Sequence, residues 1–228
     1  MTAWLQILAE VPAAAAVLAW GAYHPASRLF GPALCRTASP NTIALTFDDG
    51  PNPAITPRLL GLLDRHEVHA TFFLIGRWAR ACPAIVRDIA ADGHAIGNHT
   101  ETHPNLLFLS RPRIVTELTR CQQSIADITG TPPSLLRPPY GARGPQLRRA
   151  LGAAGLTHVV TWTTMGRDWS TEGKRRLVGR LARVRGGEII VLHDGCHRAL
   201  DADRLATIRA LEHWLPRWKD AGLHAVRL

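Results

Sequence analysis

From residue 42 onward the chain alternates short apolar runs with longer amphipathic stretches. Apolar, β-branched runs at Thr42–Phe47, Ala70–Ile75, Ala95–Asn98, Leu135–Arg137, Thr157–Trp162, Glu188–Leu192 and Ala225–Leu228 read as strands. Between them, apolar positions recur at helical spacing near Thr56–His66, Ala84–Ala91, Arg113–Thr129, Gly144–Ala154, Lys174–Val184 and Asp203–Asp220. Apolar strands separated by helices of about 10–18 residues predict a parallel α/β arrangement. Residues with chemical potential fall just after several strands: Asp48 and Asp49 after the first, His99 after the third, Arg137 after the fourth and His193 after the sixth. The carboxyl ends of parallel strands converge on one face, so these residues are expected to share a pocket.

The first 40 residues do not follow this alternation. Ala13 to Tyr23 is apolar throughout, a run of about 11 residues where a spanning helix needs about 20. No Lys or Arg precedes it, as a secretory signal requires, whereas Arg28 and Arg36 follow it. Residues 1–40 are therefore expected to form an anchor-like or signal-like apolar segment. If it inserts, the charge asymmetry keeps the following domain on the cytoplasmic side. Residues 41–228 are long enough for one domain with its own core.

Basic residues outnumber acidic ones by 27 to 18, for a net charge of +9. That excess favours anionic neighbours such as an acidic membrane or a phosphate-bearing, lipid-linked sugar. No nucleic-acid motif or basic stripe with interleaved aromatics accompanies it, so no nucleic-acid partner is expected. The densest basic run, Lys174 to Arg185, places Leu177, Leu181 and Val184 on one face and Arg176, Arg180 and Arg183 on another, the pattern of a packed helix with a solvated side. Cys35, Cys82, Cys121 and Cys196 are scattered without CxxC or zinc-finger spacing and do not fix the compartment. Cys121 is expected to be a half-buried thiol.

Two segments concentrate the chemistry. Thr46-Phe47-Asp48-Asp49-Gly50 sets adjacent carboxylates at a strand end, where their mutual repulsion calls for a cation or strong donors. Asn98-His99-Thr100-Glu101-Thr102-His103 sets two imidazoles four residues apart, as a helical metal pair would, although Glu101 does not directly follow the first His as in the zincin signature. One carboxylate and two imidazoles suit a divalent metal with an open position, which leaves the second carboxylate free to act as a base. A solvated turn and a pair of structural histidines remain the plain alternatives. Further along, Arg137-Pro138-Pro139-Tyr140-Gly141 forms a rigid loop, Trp162 to Trp169 an aromatic-rich segment, and Ile189 to Gly195 a buried strand ending in His-Asp. His94 reads as structural and His197 as a surface loop residue.

Taken in order, TFDDG, NHTETH, RPPYG, RDW and VLHDG resemble the motifs of the polysaccharide deacetylase family, the NodB-homology group of carbohydrate esterase family 4, over residues 41–228. The resemblance implies a distorted (β/α) barrel that hydrolyses N-acetyl groups on sugars with zinc or another divalent ion (cobalt, nickel or manganese). It implies Asp49, His99 and His103 as metal ligands with water in the open position, and Asp48 as the base that deprotonates that water. Arg137 would orient Asp48, the Tyr140 N–H would bind the oxyanion, and His193 would protonate the leaving amine. Asp168 would support His193, while Trp169 and Val191 would wall the acetyl methyl. Many relatives carry Asp where this chain has Met165, which puts local hydrogen bonding and substrate preference in question. A deacylase of another N-acyl sugar lipid and a catalytically silent sugar-binding relative are the alternatives left open.

Overall fold

A computed structural model describes residues 14–228, so residues 1–13 of the expected N-terminal segment lie outside it. Helix α1 covers residues 14–23 and exposes Val17, Leu18 and Trp20. Among the described residues no helix is long and apolar enough to cross a membrane.

Eight strands follow: β1 (Thr42–Asp48), β2 (Thr71–Leu74), β3 (Ala95–Asn98), β4 (Leu135–Leu136), β5 (His158–Val159), β6 (Thr164–Met165), β7 (Ile189–His193) and β8 (His224–Ala225). All named pairings are parallel, in the order β5-β4-β3-β2-β1-β7-β6, with β8 added beside the start of β1. Around them lie α2 (Thr56–Arg65), α3 (Gly76–Ala81), α4 (Pro83–Ala91), α5 (Arg111–Thr129), α6 (Leu147–Ala153), α7 (Thr171–Leu181) and α8 (Leu205–Asp220). The result is the expected distorted barrel, curled but incompletely closed. Its seam runs between β5 and β6, and residues 34–36 sit in it: Leu34 bridges Val160 and Arg36 bridges Glu188. These residues fall in the N-terminal segment of the sequence reading, yet they pair with the sheet.

Strand alternation decides which side chains reach the site. Ile43, Leu45 and Phe47 of β1 pack outward against helices α2, α7 and α8 in the main core. Their neighbours point the other way, so Ala44 joins Phe73, Val160 and Ile189 inside the barrel. Continuing that inner row, Thr46 and Asp48 climb toward the carboxyl ends of the strands. Both are buried.

Several elements depart from the sequence reading. The strand expected over Thr157–Trp162 is shortened to His158–Val159: Val160 still donates to the Leu136 carbonyl (2.8 Å), after which the chain crosses the seam and pairs with β7 as β6. Helix α3 was not expected; it has only six residues and ends where Pro83 begins α4. Helix α7 starts three residues earlier than expected because the Ser170 hydroxyl accepts from the Gly173 N–H (2.9 Å) and caps the helix. The last strand is His224–Ala225 rather than Ala225–Leu228.

Candidate active site

Asp48 of β1 and His193 of β7 are register partners on adjacent parallel strands. Asp48 is held from within the barrel. Arg137, fully buried just after β4, donates through Nη1 to Asp48 Oδ1 (2.7 Å) and Thr46 Oγ1 (2.6 Å), and through Nη2 to the Thr161 carbonyl (3.0 Å). Its guanidinium lies 4.2 Å from the centre of the Phe73 ring. Burial lowers the Arg137 pKa and the Asp48 carboxylate opposes that shift. Each charge compensates the other's desolvation, and removing either would strand a buried ion.

Asp49, His99 and His103 form a buried group whose ligand atoms lie within 4.8 Å of one another. Asp49 Oδ1 is 3.1 Å from His103 Nε2 and 3.5 Å from His99 Nε2. The His99 Nδ1 sits 2.7 Å from the Arg137 carbonyl. A carbonyl only accepts, so Nδ1 carries the proton and Nε2 turns a lone pair toward Asp49. The two histidines meet through a turn, not along a helix as the four-residue spacing suggested. Asn98 builds that turn: its Oδ1 accepts from the Thr100 N–H (2.8 Å), and Thr100 Oγ1 accepts from the His103 N–H (3.0 Å). Asp49, Thr100 and His103 all have positive φ, at 70°, 68° and 64°. Such a conformation costs an L-residue about 1–2 kcal/mol, and strain of this kind gathers at functional sites. A buried carboxylate oxygen facing the Nε2 atoms of two imidazoles fits a divalent cation. The fit extends to the environment, since Asp49 Oδ1 is buried with no hydrogen-bond partner among the described residues.

His193 is anchored by Asp168, whose Oδ1 lies 2.8 Å from Nδ1 and whose Oδ2 accepts from the His193 N–H (2.8 Å) and the Thr207 hydroxyl (2.7 Å). Burial disfavours the imidazolium, yet the Asp168 charge and hydrogen bond prevail and push the His193 pKa up to about 9. Burial likewise raises Asp168, and the His193 charge together with the hydrogen bonds from His193 and Thr207 more than reverses it. Asp168 is fully satisfied without the Asp that Met165 replaces. Met165 instead pairs with Val191 and faces the cavity.

A cavity of about 550 Å³ opens over these groups and includes Asp48, Asp49, His99, His103 and His193 in its lining. Tyr140, Trp169 and Val191 line it too. Trp169 meets the His193 ring edge-on at 4.9 Å, and Tyr140 meets His103 edge-on at 4.8 Å. All ten residues singled out in the sequence gather here, with Arg137 and Asp168 buried behind the cavity wall.

His197 is not the surface residue it was expected to be. Its ring stacks on His103 (4.3 Å, 9° between planes) and its Nδ1 lies 3.7 Å from Asp49 Oδ2. Position on the strand-end face, four residues past His193, was the signal that could have found it. Arg198 and Arg204 of the same loop were also missed. His94 is structural, as expected, with Nδ1 accepting from the Ala70 N–H (3.1 Å). Cys121 is fully buried rather than half-buried, and burial pushes its thiol pKa up. All four cysteines are free.

Residues 36–159 match the family model described as polysaccharide deacetylase. A chitooligosaccharide deacetylase of Azorhizobium caulinodans is 39% identical over 202 residues, covering 85% of this chain and 96% of the relative. Among solved structures, the peptidoglycan N-acetylglucosamine deacetylase Bc1960 superimposes with a TM-score of 0.77 at 32% identity, over 86% of this chain and 90% of that one. A family 4 carbohydrate esterase from Streptomyces lividans, in complex with acetate, gives 0.73 at 32% identity, over 82% and 93%.

Proposed function

The chain belongs to the polysaccharide deacetylase family of amide hydrolases, and from that premise we propose that it removes the N-acetyl group from an amino sugar within an oligosaccharide or a lipid-linked glycan. One observation carries the reading. Two proton-transfer groups stand in register at adjacent strand ends, and each is locked to a partner of opposite charge: Asp48 to Arg137, His193 to Asp168.

Those partners set the direction of proton flow. Asp48, oriented by the Arg137 guanidinium, takes a proton from the attacking water. Paired with a carboxylate, His193 stays protonated at neutral pH and delivers its proton to the departing amine nitrogen. Asp49, His99 and His103 would hold the divalent ion, which when bound supplies Lewis acidity and lowers the pKa of water toward 7. The Tyr140 N–H is assigned to the oxyanion. Trp169 and Val191 border a space suited to the acetyl methyl, and the cavity's aromatic walls suit a sugar ring. The net charge of +9 favours a glycan bearing phosphate, as a lipid-linked substrate does.

Asp48→Asn tests the assignment. The amide still accepts from Arg137 but cannot take a proton, so acetate release should fall about 10²–10⁴-fold, the usual share of a general base. Metal content, measured on the same preparation, should stay at the wild-type level. Undiminished turnover would remove Asp48 as the base.

A further inference from the structure

Three arginine side chains are buried among the described residues: Arg137, Arg143 and Arg204, the last only 5% exposed. Arg137 is neutralised by Asp48. Arg143, away from the cavity, donates both terminal nitrogens to carbonyls, of Ser27 (3.0 Å) and His24 (2.5 Å). Arg204 differs. Its Nε donates to the Gly195 carbonyl (2.8 Å), which fixes the guanidinium plane, while its two terminal nitrogens have no protein acceptor among the described residues. They are not sealed inside protein either, because the side chain lines the catalytic cavity. Its sequence neighbour Asp203 is engaged elsewhere, with Lys174 (3.2 Å).

The loop presenting this guanidinium is tied down along its length. Asn52 Nδ2 donates to the Ala202 carbonyl (2.9 Å), and Trp78 Nε1 donates to the Cys196 carbonyl (3.1 Å). Arg198, on the same loop, adds a second, exposed guanidinium to the cavity lining. Burying a cation without a counter-ion is costly. Sugar hydroxyls do not require such a group, whereas a planar fork with free N–H groups matches a carboxylate or phosphate.

Building on the deacetylase reading, we propose that Arg204, assisted by Arg198, forms an anionic subsite within the catalytic cavity, so that the N-acetylamino sugar turned over bears a carboxylate or phosphate. The subsite sorts substrates by charge, while the Asp48–His193 pair performs the same hydrolysis on each.

The test compares acetate release by the metal-loaded full chain from three oligomers of equal length. One is neutral N-acetylglucosamine oligomer, one carries lactyl-ether carboxylates on its sugars, and one ends in a 1-phosphate. Wild type should prefer a charged oligomer by at least about tenfold in kcat/KM, the scale of one charge-assisted hydrogen bond. Preference for the carboxylate places the anion on a sugar ring; preference for the 1-phosphate places it at the reducing end, as in a lipid-linked glycan. Arg204→Gln should lower the charged-to-neutral ratio about tenfold. Arg198→Ala, which touches none of the loop's anchors, should lower it about threefold, and thermal melting of both variants reports on folding. A wild type that treats neutral and charged oligomers alike, or variants that leave the ratio unchanged, would overturn the subsite and leave the deacetylase reading standing. Release from none of the three would overturn the deacetylase reading and the subsite with it.

Discussion

Asp168 never reaches the cavity lining, yet it governs the group that does. It holds the His193 backbone N–H and ring Nδ1, leaving Nε2 toward the cavity, and its charge and hydrogen bond lift the imidazole to about 9. The sign is direct: below that value His193 holds the proton it must give, and above it the proton is gone. Acetate release should therefore fall on the alkaline side as pH rises through about 9. Asp168→Asn removes the charge while burial still disfavours the imidazolium, so the alkaline limb should move toward or below 6.5, the ordinary imidazole value. A pH profile of kcat for the two proteins checks it, and an unmoved limb would exclude His193 as the acid. At this scale the sequence was informative wherever a residue's environment is made by its own segment: Asp48, Asp49, His99 and His103 sit in short motifs with their turns built in. His197 was misjudged because its position comes from elsewhere. Its carbonyl is held by Arg77 and its ring by His103, contacts that no local pattern encodes.

The two segments that end in Asp-Gly meet back to back. A side chain on Gly195 would place Cβ 2.1 Å from the Asp49 carbonyl oxygen, and one on Gly50 would place it 2.3 Å from an Asp194 carboxylate oxygen. The glycines of TFDDG and VLHDG thus let the β1 and β7 loops touch, and the Thr56 hydroxyl fastens them by donating to Asp194 (2.5 Å). Gly195→Ala should push Asp49 out of line. We expect a loss of about 1–3 kcal/mol in stability, as for other overpacked sites, together with weaker metal binding. Chemical denaturation and metal titration of the variant measure the two effects separately; wild-type values in both would show that the loops tolerate the methyl group. Long elements such as β1 and α5 were legible because seven or nineteen residues display a period. Strands β5 and β6, at two residues each, show none, and their separation is decided by the neighbour each pairs with on its own side of the seam, β4 and β7.

On the scale of the molecule, the ligand triad crowns a core that owes nothing to it: the strands beneath are packed with apolar side chains on both faces. Chelation should abolish acetate release while leaving the circular dichroism spectrum intact. Added zinc should restore activity, and cobalt, nickel and manganese can be ranked beside it. Loss of secondary structure on chelation would mean that the metal is structural. The order of residues along the chain adds a consequence for synthesis. Asp49, His99 and His103 are all present once three neighbouring strands have emerged from the ribosome, whereas Arg137, Asp168 and His193 come later, and β1 waits for β7 to cover its open edge. A nascent chain thus carries Asp48 and all three ligand residues before the Arg137 that orients Asp48 and His99, and it becomes a catalyst only when the later strands bring Arg137, Asp168 and His193.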